Sequence, residues 1–284
     1  MIRTLLAATD FSTRAELALA RAARIAAATG ARLVVAHAVD DDETPEVVEA
    51  RAALADGQLA RRVARGDLGA AEPRVVLGDP FAALADLAEE TGADLIVAGD
   101  RRRTALRALF LDTTVERLAR LSPAPLLVVR RPASARYAHA LAGMDAEPAP
   151  AILRALDALG SERPARVTLL HAHEPLEAGL LARAGVSRAE RVAHEAESAE
   201  AARSRLAAAL GPDAARTELV VASGDPAAAI LSAAAARGCD LVAVGTHARR
   251  GAARLLLGSV ASRLMREGET DLLVLPARLL FGEG

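Results

Sequence analysis

Residues 241–265 read LVAVGTHARRGAARLLLGSVASRLM. An apolar run, Leu241 to Val244, breaks at Gly245; a polar, arginine-rich segment from Thr246 to Arg254 follows and gives way to Leu255-Leu256-Leu257. A second break at Gly258-Ser259 leads into a helical pattern with Val260, Leu264 and Met265 on one side. The stretch reads as strand, loop and helix, with small residues where the chain leaves the strand and where the helix begins. Such a turn suits an anion, because glycine lets backbone N–H groups approach a phosphate and the helix N-terminus adds partial positive charge.

The same punctuation occurs earlier in the chain. A shift of 146 residues aligns Val75–Val129 with Val221–Leu275 without a gap. Gly78-Asp79-Pro80 then meets Gly224-Asp225-Pro226, Gly92 meets Gly238, Asp94-Leu95 meets Asp240-Leu241, and Gly99 meets Gly245. Arg117-Leu118 meets Arg263-Leu264, and Leu126-Leu127-Val128 meets Leu272-Leu273-Val274. Roughly a third of the aligned positions are identical, more than shared composition explains. Upstream the shift falls to 135, where Asp10 meets Asp145, so the second copy carries extra residues in its middle. Two homologous domains are the economical account, with a boundary near Pro132-Ala133-Ser134.

Each copy alternates strand and helix. In the first, strands are expected over Thr4–Ala8, Arg32–Val39, Arg74–Leu77, Asp94–Ala98 and Pro125–Arg130. Helices are expected over Thr13–Thr29 with Ser12 as N-cap and Gly30 as stop, over Pro45–Arg65, from Pro80 to Thr91, and over Thr113–Leu121. In Gly-Asp-Pro the aspartate caps a helix and the proline fits its first turn. The second copy repeats this with strands Ala138–Ala142, Val167–Ala172, Glu218–Val221, Leu241–Val244 and Leu272–Leu275. Its helices are expected over Ala149–Leu159, Arg188–Leu210, Pro226–Arg237 and Ser259–Arg266. Strands this apolar, separated by helices, imply a parallel sheet covered on both faces, with a ligand site beyond the C-terminal strand ends.

Composition narrows the function classes. With 52% hydrophobic and 25% charged residues the chain is globular; with 2% aromatics and no tryptophan its core must be aliphatic. All 35 basic residues are arginine, which fits a GC-rich genome better than a chemical role. A net charge of −2 argues against a dedicated nucleic-acid surface. The single cysteine, Cys239, rules out an intrachain disulfide and a multi-cysteine metal site, and reads as a buried structural thiol. Strand-like residues begin at Ile2, which leaves no room for a signal peptide, and no apolar run approaches the ~20 residues that span a bilayer. The expectation is a soluble protein of a reducing compartment, the cytoplasm, with no nucleic-acid or membrane partner.

Five strands per copy, an aspartate after strand one, Gly-Asp-Pro before the third helix, and Gly245, Ala248 and Gly258-Ser259 at their spacing together resemble a tandem universal stress protein of the nucleotide-binding kind. The resemblance covers nearly the whole chain. It implies an α/β fold with two tandem Rossmann-like domains, each a five-stranded parallel sheet in the order 3-2-1-4-5 with helices on both faces. It also implies that the fifth strands, Leu126–Val129 and Leu272–Leu275, pair within one molecule, which would cover two apolar edges. A homodimer is compatible with that arrangement. The expected division is residues 1–132, with a degenerate nucleotide site, and 133–284, with a near-complete motif.

The ligand the resemblance implies is ATP. In the second domain Asp145 matches the aspartate beside the adenosine, Ala172 the backbone contact to adenine, and Gly245 the ribose-side glycine. Gly258, Ser259 and Val260 match the phosphate-binding turn, and Ala248 replaces its middle glycine. If that position needs a positive φ the methyl group costs about 1 kcal/mol; if φ is negative the change is mild. His247 is either a phosphate contact or an exposed loop residue, and Arg249, Arg250 and Arg254 either neutralise a triphosphate or are solvated. In the first domain Asp10, Ala38 and Gly99 persist, but Arg102 and Asp112 stand at the other two glycine positions. A carboxylate at 112 would repel phosphates, so this copy is expected not to bind ATP in the family manner.

The bland readings are plain enough. Gly258-Ser259 could be a loop and an N-cap, as Asp112-Thr113 could be; Asp10 and Asp145 could merely end strands. His37 and His171 occupy equivalent strand positions, which ancestry and packing explain, while His173 and His194 lack a third ligand. Asp40-Asp41-Asp42-Glu43 reads as a solvated turn. Three functions follow: a stress-response protein regulated by an adenine nucleotide in its second domain, the same fold as a nucleotide-free interaction module, or a weak ATPase. Against the last, no general base, nucleophile or acidic Mg²⁺ pair accompanies the glycines, and without lysine a Walker ending is impossible.

Overall fold

The computed structural model describes residues 1–100, 114–143, 149–173, 187–246 and 257–281. The first half runs β1 (Thr4–Ala8), α1 (Thr13–Thr29), β2 (Arg32–Val39), α2 (Pro45–Val63), β3 (Glu72–Leu77), α3 (Pro80–Glu90), β4 (Leu95–Gly99), α4 (Thr114–Leu121) and β5 (Leu126–Val129). The second runs β6 (His139–Gly143), α5 (Ala149–Asp157), β7 (Arg166–His173), α6 (Arg188–Leu210), β8 (Glu218–Ser223), α7 (Pro226–Ala236), β9 (Leu241–Gly245), α8 (Ser259–Glu267), β10 (Asp271–Leu275) and a short α9 (Ala277–Phe281).

Helix limits follow their caps. The Ser12 hydroxyl accepts from the Ala15 N–H to open α1, and Gly30, at φ 72°, closes it in the left-handed region that glycine enters without a Cβ penalty. Ser187 and Glu190 form a reciprocal capping box at the start of α6. Asp79 and Asp225 cap α3 and α7, each followed by proline in the first turn.

Several expected limits move. β3 starts at Glu72 rather than Arg74, taking in Pro73, because β3 is the outermost strand and an edge tolerates a residue without an N–H. α2 ends at Val63, short of Arg65, and the buried Arg62 turns back to Glu16 and Asp67. α5 stops at Asp157, and a 3₁₀ turn, Gly160–Glu162, follows it. α9 was not expected.

One ten-stranded sheet carries both halves, in the order β3-β2-β1-β4-β5-β10-β9-β6-β7-β8. Each half is parallel in the order 3-2-1-4-5, and β5 meets β10 antiparallel with Leu127 opposite Leu273. The duplication extends to register: His37 lies opposite Val75, and His171 opposite Val221. Two aliphatic layers sandwich the sheet. One packs α1, α2, α5 and α6 on residues such as Leu5 and Ala142; the other packs α3, α4, α7 and α8 on Leu6, Ile96 and Leu141. Fully buried leucines of this kind each contribute about 2–5 kcal/mol against alanine. No helix among the described residues is long and apolar enough to cross a membrane.

Polar groups seal the seam between the halves. Asp271 is 0% exposed and accepts the Arg130 and Arg131 N–H groups at 2.8 and 3.1 Å and the Tyr137 hydroxyl at 2.7 Å. Arg21 lies over the Tyr137 ring at 4.1 Å, donates to Glu162 at 3.1 Å and approaches Asp271 at 3.8 Å. Arg130 donates to Asp100 and to the Thr270 and Met265 carbonyls, so a residue at the end of β5 grips the C-terminal end of α8. Burial and the neighbouring Asp271 carboxylate push the Tyr137 phenol well above its ordinary pKa.

Candidate nucleotide-binding turn

β9 ends on Gly245, opposite Leu275 of β10. The next residue, Thr246, is 5% exposed; its N–H donates to the Leu275 carbonyl at 2.8 Å and its own carbonyl accepts the Gly258 N–H at 2.7 Å. The two ends of the intervening loop are therefore stitched together, and Gly258 sits directly beyond the sheet. Gly258 is the N-cap of α8, at φ −58° and ψ 150°, and no side chain caps the helix. The Gly258 carbonyl accepts the first intrahelical bond, from Ser262 at 2.9 Å. The N–H groups of Ser259, Val260 and Ala261 thus form the open first turn of a helix, at its positive end. Serine at 259 is the first helical residue, not the cap. α1, α3, α6 and α7 each satisfy a first-turn N–H with a side chain. α8 shares its bare start with α2, whose N-cap Thr44 makes no side-chain cap bond, but of the two only α8 has glycine at the cap.

An ion pair repeated in both halves joins α8 to the cap of α7. Arg263 of α8 donates to Asp225, the cap of α7, at 2.6 Å, and to Glu267 at 3.0 Å. Arg117 of α4 makes the equivalent bond to Asp79 at 3.2 Å and lies 3.5 Å over the Phe81 ring. The two aspartates thus both cap a helix and anchor its neighbour. Sequence reasoning flagged these residues as repeated punctuation but missed their pairing. A 38-residue separation common to both pairs was the available signal.

Of the expected site residues, Gly245, Gly258, Ser259 and Val260 meet at this turn, and Ala172 is a half-buried residue near the end of β7, opposite Ala222. Asp145, His247 and Ala248 lie outside the described residues, as do Arg102, Asp112, Arg249, Arg250 and Arg254. In the first half Asp10 accepts the Ser12 N–H at 3.0 Å in an Asx turn. Phe11 between them has φ 61°, the one positive φ outside glycine among the described residues. Its ring stacks on His37 with centroids 4.6 Å apart, and the His37 Nδ1–H donates to the Thr9 carbonyl at 2.8 Å. Gly99 has a packing reason of its own: a Cβ there would lie 2.7 Å from the Arg14 carbonyl oxygen at the start of α1. The carboxylates of Asp40, Asp41 and Asp42 lie within 4.8 Å of one another but are exposed, as a solvated turn requires.

The model of the universal stress protein family matches residues 1–130 and again 137–276. A universal stress protein from Thermus aquaticus, encoded in the 3′ region of a QAH/OAS sulfhydrylase, is 32% identical over 137 residues, 46% of this chain and 100% of that protein. Two solved structures share the fold along the full length. A functionally unknown protein from Pseudomonas aeruginosa PAO1 has a TM-score of 0.69 at 21% identity, covering 98% of this chain and 94% of its own. A universal stress protein from Archaeoglobus fulgidus has a TM-score of 0.64 at 16% identity, covering 96% and 95%.

Proposed function

We propose, from the premise that the chain belongs to the universal stress protein family, that its second half binds an adenine nucleotide, ATP foremost, in a regulatory rather than catalytic role. The carrying observation is the start of α8, where glycine replaces a capping side chain and the turn is pinned to the end of β9 through Gly258 and Thr246. Three free backbone donors and the helix dipole suit a phosphate chain. The base and ribose fall to Ala172, Asp145 and Gly245, with His247 and Ala248 in the loop between. The division lies at residue 132, with a degenerate site before it and the nucleotide site after it. In this reading bound nucleotide biases the shape or the partners of a cytoplasmic stress-response protein. The described groups at the turn are donors to phosphate, and none is placed as a general base.

The test is a thermal-melt titration of the full chain with ATP, with Gly258→Asp as control. At 100 times the dissociation constant, binding adds about 2.7 kcal/mol of stability. Gly258→Asp, which sets a carboxylate at the phosphate turn, should abolish the shift. No shift in the unmodified chain with millimolar ATP would overturn the reading in favour of an interaction module. Multiple turnover of ATP that disappears in Ser259→Ala would overturn the regulatory assignment.

A further inference from the structure

A cavity of about 480 Å³ lies on the seam, at the opposite end of α8 from the Gly258 turn. The C-terminal ends of α7 and α8 open onto it, together with the end of β5 and the start of β10. Its floor is aliphatic: Val242, Leu264 and Leu272 are all buried. Its rim is charged, and the charges differ in their freedom. Arg130 is committed to Asp100 and two carbonyl groups, and Glu267 is held by Arg263. Gly268 keeps Arg130 tucked away, since a Cβ there would stand 2.7 Å from its Nη1. Arg131 and Glu269 are exposed on the same rim, and neither side chain has a hydrogen bond or ion pair among the described residues.

This arrangement offers three things at once: a planar guanidinium fork that fits a carboxylate, a carboxylate set beside helix C-terminal ends that fits an ammonium group, and a dry floor between. A pure anion would meet Glu269 and two negative helix ends; a pure cation would leave Arg131 unmatched. We propose that the cavity binds an α-amino acid with an apolar side chain, its body on Val242, Leu264 and Leu272, its carboxylate on Arg131 and its ammonium on Glu269. The charged pair, one residue from each half, is not repeated by the duplication. Continued along the chain, the 146-residue shift sets Pro123 and Ala277 against Glu269 and Arg131, which removes both charges from the equivalent position.

The experiment is calorimetric titration of the full chain, without nucleotide, by L-leucine, N-acetyl-L-leucine, L-leucinamide and glycine. Saturable binding of one L-leucine per chain is expected, weakened at least ~10-fold by capping either charged group, by loss of the side chain, or by Arg131→Ala or Glu269→Gln. Both substitutions are at exposed positions and should leave the melting temperature unchanged. Bound L-leucine should also raise the melting temperature as its concentration rises. Absence of both heat and a melting shift at tens of millimolar L-leucine would overturn the proposal. So would binding that Arg131→Ala and Glu269→Gln both leave unchanged.

Discussion

In the first half the residue after the β4 glycine is Asp100; in the second the residue after the β9 glycine is Thr246, and the two do different work. Asp100 takes the guanidinium of Arg130 at 2.9 Å and so belongs to the seam. Thr246 instead offers its carbonyl to the Gly258 N–H and so holds the start of α8 at the strand end. The seam repeats the division. Asp271 in the second half gathers three donors, while its counterpart under the shift of 146 is Pro125, which has no carboxylate to offer. After duplication, one set of strand ends supplied the grip between the halves and the other the turn that we propose faces phosphate. Divergence at single positions sufficed, because the sheet and its helix layers stayed the same in both.

The largest single effect is expected at the seam. Asp271→Ala leaves the Tyr137 hydroxyl and the Arg130 and Arg131 N–H groups without their acceptor and takes a carboxylate from beside the buried Arg21, and breaking a buried charged pair costs about 3–5 kcal/mol. Denaturant midpoints of Asp271→Ala and Pro125→Ala check this; equal losses would mean the seam is no more demanding on one side than the other. The next effect sharpens the ligand side. Calorimetry should count one ATP per chain, and the nucleotide-dependent gain of about 2.7 kcal/mol at 100 times the dissociation constant should vanish in Gly258→Asp. Two nucleotides per chain would erase the contrast between the halves.

The division of the elements was readable wherever a cap fixes it. Thr13–Thr29, Arg32–Val39 and Arg188–Leu210 match the structure residue for residue, because Ser12, Gly30 and Ser187 act within a few residues of the ends they set. What escaped reading acts at long range. Asp271 and its partners stand 134 to 141 residues apart, and no local pattern marks an aspartate at the mouth of an apolar strand as a buried acceptor. Glu162, in the 3₁₀ turn between α5 and β7, is likewise explained by Arg21 and Arg24 of a helix more than 130 residues earlier. Of the site, the glycine spacing disclosed the turn at Gly258. The helix was expected from Ser259 and starts there; that its glycine cap is joined by no side-chain bond became visible only with the backbone.

The seam also makes a spectroscopic prediction. Tyr137 is the chain's one tyrosine, so its absorbance titration reports one group. Burial and Asp271 raise its folded pKa, so the stability it contributes is present below the ordinary value near 10 and is lost as pH rises above it, by up to about 1.4 kcal/mol per pH unit. Ionisation should therefore occur only as the protein unfolds at alkaline pH. A tyrosinate signal near pH 10 with the circular dichroism unchanged would show that the phenol is not sealed.

The smallest effect separates aim from stability. Arg263–Asp225 and Arg117–Asp79 are exposed pairs of the same design, and pairs of that kind contribute little to folding. Arg263→Ala and Arg117→Ala should both leave the melting temperature nearly unchanged. Their effects on ATP should part, because only Arg263 sits in the helix whose first turn is proposed to face the phosphates. Arg263→Ala frees α8 from the cap of α7 and should weaken ATP severalfold, while Arg117→Ala should leave the affinity as it was. The two substitutions remove the same ion pair from the same place in each copy, together with the Glu267 bond in one and the Phe81 ring contact in the other. Equal affinities in the two variants would therefore mean that α8 is held by the Gly258–Thr246 hydrogen bond and the core beneath it, and that the repeated arginine is a relic of the shared ancestor.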